Sequence, residues 1–188
     1  VSGSVTLNNE EYSVDGIGHH EHCWSPGVLD TVIKGWDWSH MKLDNGWNIY
    51  YSKYYVTKQK IDSKTTKINA YSNLIITTDQ GERLTLLTDL DITTKESDSL
   101  FLLLKMPSKI RIFGRPNSIT QILLKTYNIY LDLEIDSENT CDKTWKFPTY
   151  ISMKVGRTTV TGTISWSDNE GEHEIELNGI GTTWNMRR

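Results

Sequence analysis

The sequence predicts an all-β fold: an antiparallel β-barrel, or a strongly bent sheet, of about nine or ten strands with at most one short helix. Three observations carry this. The dominant period is two, with Tyr127, Ile129, Leu131, Leu133 and Ile135 alternating with Asn128, Tyr130, Asp132, Glu134 and Asp136. That is the pattern of a half-buried antiparallel strand. Turn signals return roughly every 10 to 15 residues, the spacing of sandwiches and barrels. β-Branched and aromatic residues, which suit a pleated surface, are spread along the whole length, while helix signals are few.

The elements follow in order. Residues 26–34 are the one plausible helix, with Pro26 near the first turn and Gly35 closing the end. The stretch LDNGW, from Leu43 to Trp47, carries Asn45-Gly46 between aromatic, strand-like runs. Asn-Gly tolerates positive φ, so a two-residue hairpin turn is expected there. NLII at 73–76 and LFLLL at 100–104 are strand-sized apolar runs, and Lys105 to Lys109 read as a loop after the second. After the turn Asp79-Gln80-Gly81, alternation resumes through Leu84, Leu86, Thr88 and Leu90. A second hairpin is expected at 168–171, between TVTGTISW and EHEIELNG. His173 reads as solvent-facing, the Asp132, Glu134 and Asp136 face as solvated, and the tail 181–188 as a frayed terminus. With no repeat or linker, residues 1–188 read as a single domain.

Composition narrows the function classes. The chain has 188 residues, 37% hydrophobic and 23% charged, too apolar for disorder. No run reaches the roughly 18 apolar residues of a spanning helix, so no membrane span is expected. The net charge is −4 and the basic residues are interleaved with acidic ones. Without a basic stripe, nucleic acid is not an expected partner. Seven Trp and nine Tyr against three Phe favour partly wet places such as cavity walls and barrel mouths. The two cysteines, Cys23 and Cys141, read as unpaired thiols. The chain opens on Val1, which reads as a processed, trimmed or excised start.

The densest reactive stretch is GIGHHEHCWSPG at 16–27. Read as strand, His20, His22 and Trp24 face one side, and His19, Glu21 and Cys23 the other. Downstream, Trp36, Trp38 and His40 share a face, opposite Asp37, Ser39 and Met41. If the two strands pair or neighbour each other, both sets line one cavity. Three readings stay open. His20, His22 and His40 would supply three imidazoles to zinc or iron. Glu21 or Asp37, with its charged form disfavoured among tryptophans, would act as a proton donor beside His22. Or the cluster only packs and hydrogen-bonds.

The run Gly16-Ile17-Gly18-His19-His20-Glu21-His22-Cys23-Trp24, followed by Gly35-Trp36-Asp37-Trp38 and Leu43-Asp44-Asn45-Gly46, resembles the motifs of the carotenoid 1,2-hydratase (hydroxyneurosporene synthase) and AttH-like family. Val160-Thr161-Gly162 and Glu174 to Gly179 resemble its closing strand pair. Ser25 departs from the glycine that often follows the motif tryptophan. The resemblance implies a lipocalin-like barrel, similar to the second of the family's two barrel halves. It implies an apolar, isoprenoid- or lipid-like ligand, with hydratase or cyclase activity. Glu21, His22 and Asp37 are then the catalytic candidates, and His20, Trp24, Trp36, Trp38 and His40 the ligand-binding ones. No cofactor is expected. A second barrel domain or self-association is an expected partner. The alternatives are a non-catalytic lipophilic carrier and a metal-dependent enzyme built on His20, His22 and His40.

Overall fold

The computed structural model describes residues 1–16, 18, 33–56, 59–61, 64–66, 72–100, 104–115, 121–123, 125, 127–145 and 151–188. Thirteen strands are present among them. Nine form one curled antiparallel sheet in the order β8-β7-β4-β3-β13-β12-β11-β10-β9. These are β3 (Ile33–Leu43), β4 (Asn48–Val56), β7 (Ser72–Thr77), β8 (Arg83–Leu87), β9 (Asp89–Leu100), β10 (Leu104–Arg115), β11 (Tyr127–Trp145), β12 (Ile151–Asp168) and β13 (Gly171–Arg187). β1 (Ser2–Leu7) pairs with β2 (Glu10–Asp15), and β5 (Gln59–Ile61) with β6 (Lys64–Thr66), as separate two-stranded sheets. The only helical residues among those described are 121–123. The all-β fold expected from the period of two is observed, and the curled nine-stranded sheet, a half-barrel, is consistent with the lipocalin-like barrel that the resemblance implies.

One face of the curled sheet is the core. Met41, Ile49, Leu74, Ile76, Leu87, Ile112, Leu131, Leu133, Ile164 and Leu177 are all fully buried on it. With no exposure, these side chains pack directly against one another among the described residues.

Both expected hairpins form. Asp168 pairs with Gly171 across a two-residue turn. At Asn45-Gly46 the connection is longer than a two-residue turn. The Gly46 N–H donates to the Leu43 carbonyl at 3.0 Å, the Leu43 N–H to the Trp47 carbonyl at 2.8 Å, and Gly46 has φ +90°. The glycine thus closes a bulged loop, the second common hairpin solution.

Several expectations are corrected. Of 26–34, residues 33 and 34 open β3 and the others lie outside the described residues. Leu84 to Leu90 is not one strand: β8 ends at Leu87, and it is Thr85 and Leu87 that are fully buried. Tyr127 departs from its alternation because the β11–β12 register shifts between Tyr127 and Tyr130, where Asn128 takes φ +52°. Lys105 to Lys109 is part of β10, with bulges on either side of Lys109. Pro107 sits there, where the interrupted ladder tolerates its missing N–H. The tail is not frayed. β13 pairs with β12 and β3 out to Arg187, and Gly181 makes this possible, since a Cβ there would lie 1.9 Å from the His40 carbonyl oxygen. The acidic face stays solvent-facing as expected, and on it Arg111 binds both Asp132 oxygens, at 2.9 and 2.6 Å, while Lys109 bridges Glu134 and Asp136 across the strands.

Candidate functional site

The core face changes character along the strands. Antiparallel register sets residues side by side in rows, and opposite residues share a face. The rows through Leu43, Gly179 and Val160 and beyond are apolar. Towards the start of β3 and the end of β13, the rows turn polar. Ser39 stands opposite Thr183, and Asp37 opposite Asn185, which stands opposite Lys154. Asp37, Ser39, Lys154, Thr183 and Asn185 are all buried.

Asp37 is the centre of this polar end. Tyr55 donates its hydroxyl to Asp37 Oδ2 at 2.5 Å. Arg187 Nη2 lies 2.7 Å from Oδ1, with the two side chains 14% and 4% exposed. The guanidinium covers the Tyr55 ring at 4.3 Å, and its Nη1 donates to the carbonyls of Trp36 and Met186 at 3.0 and 2.8 Å. Oδ1 therefore has a charge partner but no aligned donor: it accepts no hydrogen bond. Burial and the neighbouring Asp37 charge push the Tyr55 hydroxyl far above its ordinary pKa. Tyr51, buried beside the same carboxylate, is raised for the same two reasons. Both phenols keep their protons, so Tyr55 is a fixed donor to Asp37.

Beside this group runs a hydroxyl cluster across four strands. Thr183 Oγ1 lies 2.7 Å from both Ser39 Oγ and Thr158 Oγ1, and 3.0 Å from Ser137 Oγ. Lys154 pairs with Asp98 of β9 across the barrel. Two small clefts open here, each of about 10 Å³, the space of one water molecule.

The predicted site residues divide. Asp37 faces this interior. Trp36, Trp38 and His40 lie on the other face of β3, as the alternation requires. There Trp38 meets Tyr50 and Trp184 edge-to-face at 5.8 and 6.3 Å, and Trp184 is 40% exposed. His20, Glu21, His22, Trp24 and Cys23 lie outside the described residues, as does the side chain of Cys141. β3 is flanked by β13 on one edge and β4 on the other along Gly35 to Lys42. No group of three or more metal-ligating side chains occurs among the described residues.

Sequence reasoning missed Tyr55, Arg187, Asn185 and Lys154. Thr183, Asn185 and Arg187 do alternate, but with polar residues facing inward, which hydropathy cannot flag. It also missed His173, which is half-buried, stacked on Trp166 at 4.8 Å and bonded to Asp168 at 2.9 Å. The His173 hydrogen bond holds the Asp168 carboxyl below its usual range, helped by the Glu170 backbone N–H.

Comparison with known proteins agrees with this architecture. No family model matches the sequence. Over 38 residues the chain is 34% identical to the quinolone epoxide rearrangement protein penF of Penicillium thymicola, which is 20% of this chain and 10% of that one. The crystal structure of kievitone hydratase from Nectria haematococca matches with a TM-score of 0.57 at 13% identity, over 99% of this chain and 49% of that one. An AttH-type structure from Nitrosomonas europaea matches with a TM-score of 0.52 at 13% identity, over 98% and 48%. The chain spans about half the length of these solved structures. The resemblance read from the sequence is thus shown at the level of the fold: the chain has the lipocalin-like architecture of the AttH-like structures.

Proposed function

We propose that the chain supplies an acid–base site of the hydratase or cyclase kind, acting on an apolar, isoprenoid- or lipid-like small molecule at the polar end of the barrel. The observation that carries this is Asp37: a carboxylate buried between a guanidinium and a phenol. The names of two relatives, a hydratase and an epoxide rearrangement protein, support chemistry of this kind.

The roles follow from the donors and acceptors. Glu21 protonates the double bond, and His22 orients it. Water adds to the resulting cation and gives its proton to Asp37. Return of that proton to Glu21 through solvent closes the cycle. Trp24 offers its ring face to the cation, whereas Trp36 lies on the opposite face of β3 from Asp37. Trp38 and His40 continue the aromatic surface along the outer face of β3, where a second barrel domain or second copy would cover it.

Native mass spectrometry of the untagged chain, with elemental analysis and a panel of isoprenoid alkenes, tests the reading. A bound or converted apolar molecule is expected, with Glu21→Gln and Asp37→Asn folded but inactive. Wild-type turnover by both variants overturns the acid–base assignment. Tight binding without conversion points to the carrier, and stoichiometric metal to His20, His22 and His40.

A further inference from the structure

We propose that the polar end of the barrel holds a two-water site linking Asp37 to the rim at Asp98 and Lys154, with Asn185 positioning the inner water. The inner cleft is lined by Asp37, Ser39, Ser108, Ser137, Thr183 and Asn185. The outer cleft shares the last four of these and adds Asp98 and Lys154. Each has room for one water.

Two residues with buried acceptors line the inner cleft. Asn185 is 4% exposed, and its amide nitrogen donates to the Pro107 carbonyl at 3.2 Å. That bond fixes which side of the amide carries the oxygen, and Asn185 Oδ1 accepts no hydrogen bond. Asp37 Oδ1 has the Arg187 charge at 2.7 Å but likewise accepts no hydrogen bond. The two residues are direct register partners, so their side chains lie side by side on one face. A buried acceptor left without a donor is costly. One water donating a hydrogen to each oxygen satisfies both, and it accepts from the serine and threonine hydroxyls around it. The second water continues the path to Asp98, whose side chain is 44% exposed. Asn185 is thus a positioning residue, and Pro107, at the β10 bulge, positions it in turn. The site is defined by this geometry alone. Its role, delivering water to Asp37, rests on the function proposed above.

A high-resolution crystal structure of the full chain is the first test. It should show one density peak per cleft, the inner one at about 2.5–3.0 Å from both Asn185 Oδ1 and Asp37 Oδ1. Dry clefts, or a protein donor on Asn185 Oδ1, overturn the proposal. The second test is solvent exchange of the Tyr55 hydroxyl proton by NMR. Asn185→Leu, which fills the cleft with carbon, should slow it roughly tenfold, equivalent to about 1.4 kcal/mol. Asn185→Ala, which leaves the cleft open to water, should not slow it. If Asn185→Leu does not fold, Ser108→Val narrows both clefts and should slow exchange likewise. Unchanged exchange in the folded blocking variant refutes the path. Turnover is a separate readout, so a dry site and a failed hydratase assignment are told apart.

Discussion

Arg187→Met is the sharpest probe of the polar end. Arg187 is the penultimate residue, yet its guanidinium lies 2.7 Å from Asp37 with both side chains almost buried, and it covers the Tyr55 ring at 4.3 Å. Methionine keeps most of the aliphatic bulk and removes the charge. Breaking one side of a buried ion pair costs about 3–5 kcal/mol, and losing the cation–π contact about 1 more. For a domain of this size each kcal/mol moves the melting midpoint by about 2–4 °C, so the fall is roughly 8 to 24 °C. Asp37→Asn in the same background removes the stranded carboxylate, so the double variant should lose less than the sum of the two singles. Urea titration followed by Trp fluorescence, with thermal melts by circular dichroism, measures both effects. A midpoint within about 2 °C of wild type, or strict additivity with Asp37→Asn, refutes the buried pair.

Other consequences are checked by the same melts. Asp98→Asn strands a buried ammonium and should cost about 3 kcal/mol, whereas Lys154→Met leaves only a half-exposed carboxylate and should cost under about 1; the reverse order counts against the Lys154–Asp98 contact. Gly181→Ala forces a Cβ to within 1.9 Å of the His40 carbonyl oxygen, so β3 and β13 must part; a soluble protein with a wild-type melt contradicts that register. The folded-state pKa of Tyr55 is raised from an ordinary 10.0. The stability it contributes is complete below pH 10 and drains away as pH rises from there towards the folded value. Stability should therefore fall above pH 10, and less steeply in Tyr55→Phe; equal slopes refute the shift.

The legible part of this chain was the part written in hydrophobic alternation. Ile129 to Ile135 and the Asn45-Gly46 and Asp168 to Gly171 turns announce their strands, because burial of one face and positive φ each demand particular residue types. Asp37 stood out because it interrupts an aromatic run. Its partners did not. Tyr55 and Asn185 look like surface residues of a strand, and Arg187 like a loose end, because they are held by neighbours distant in the chain. Lys105 to Lys109 hid its strand behind a proline, since a bulge that tolerates proline has no signature of its own. His173 looked exposed because its neighbours Glu172 and Glu174 are, whereas Trp166 covers it from the adjacent strand.

The most direct test of the account is oxygen-18 incorporation. The full chain is incubated in labelled water with the apolar alkene panel, beside Asp37→Asn and Glu21→Gln. The wild-type chain should yield product carrying one labelled hydroxyl, and neither variant should yield any while both retain wild-type circular dichroism. Labelled product at the wild-type rate from a folded Asp37→Asn would contradict it.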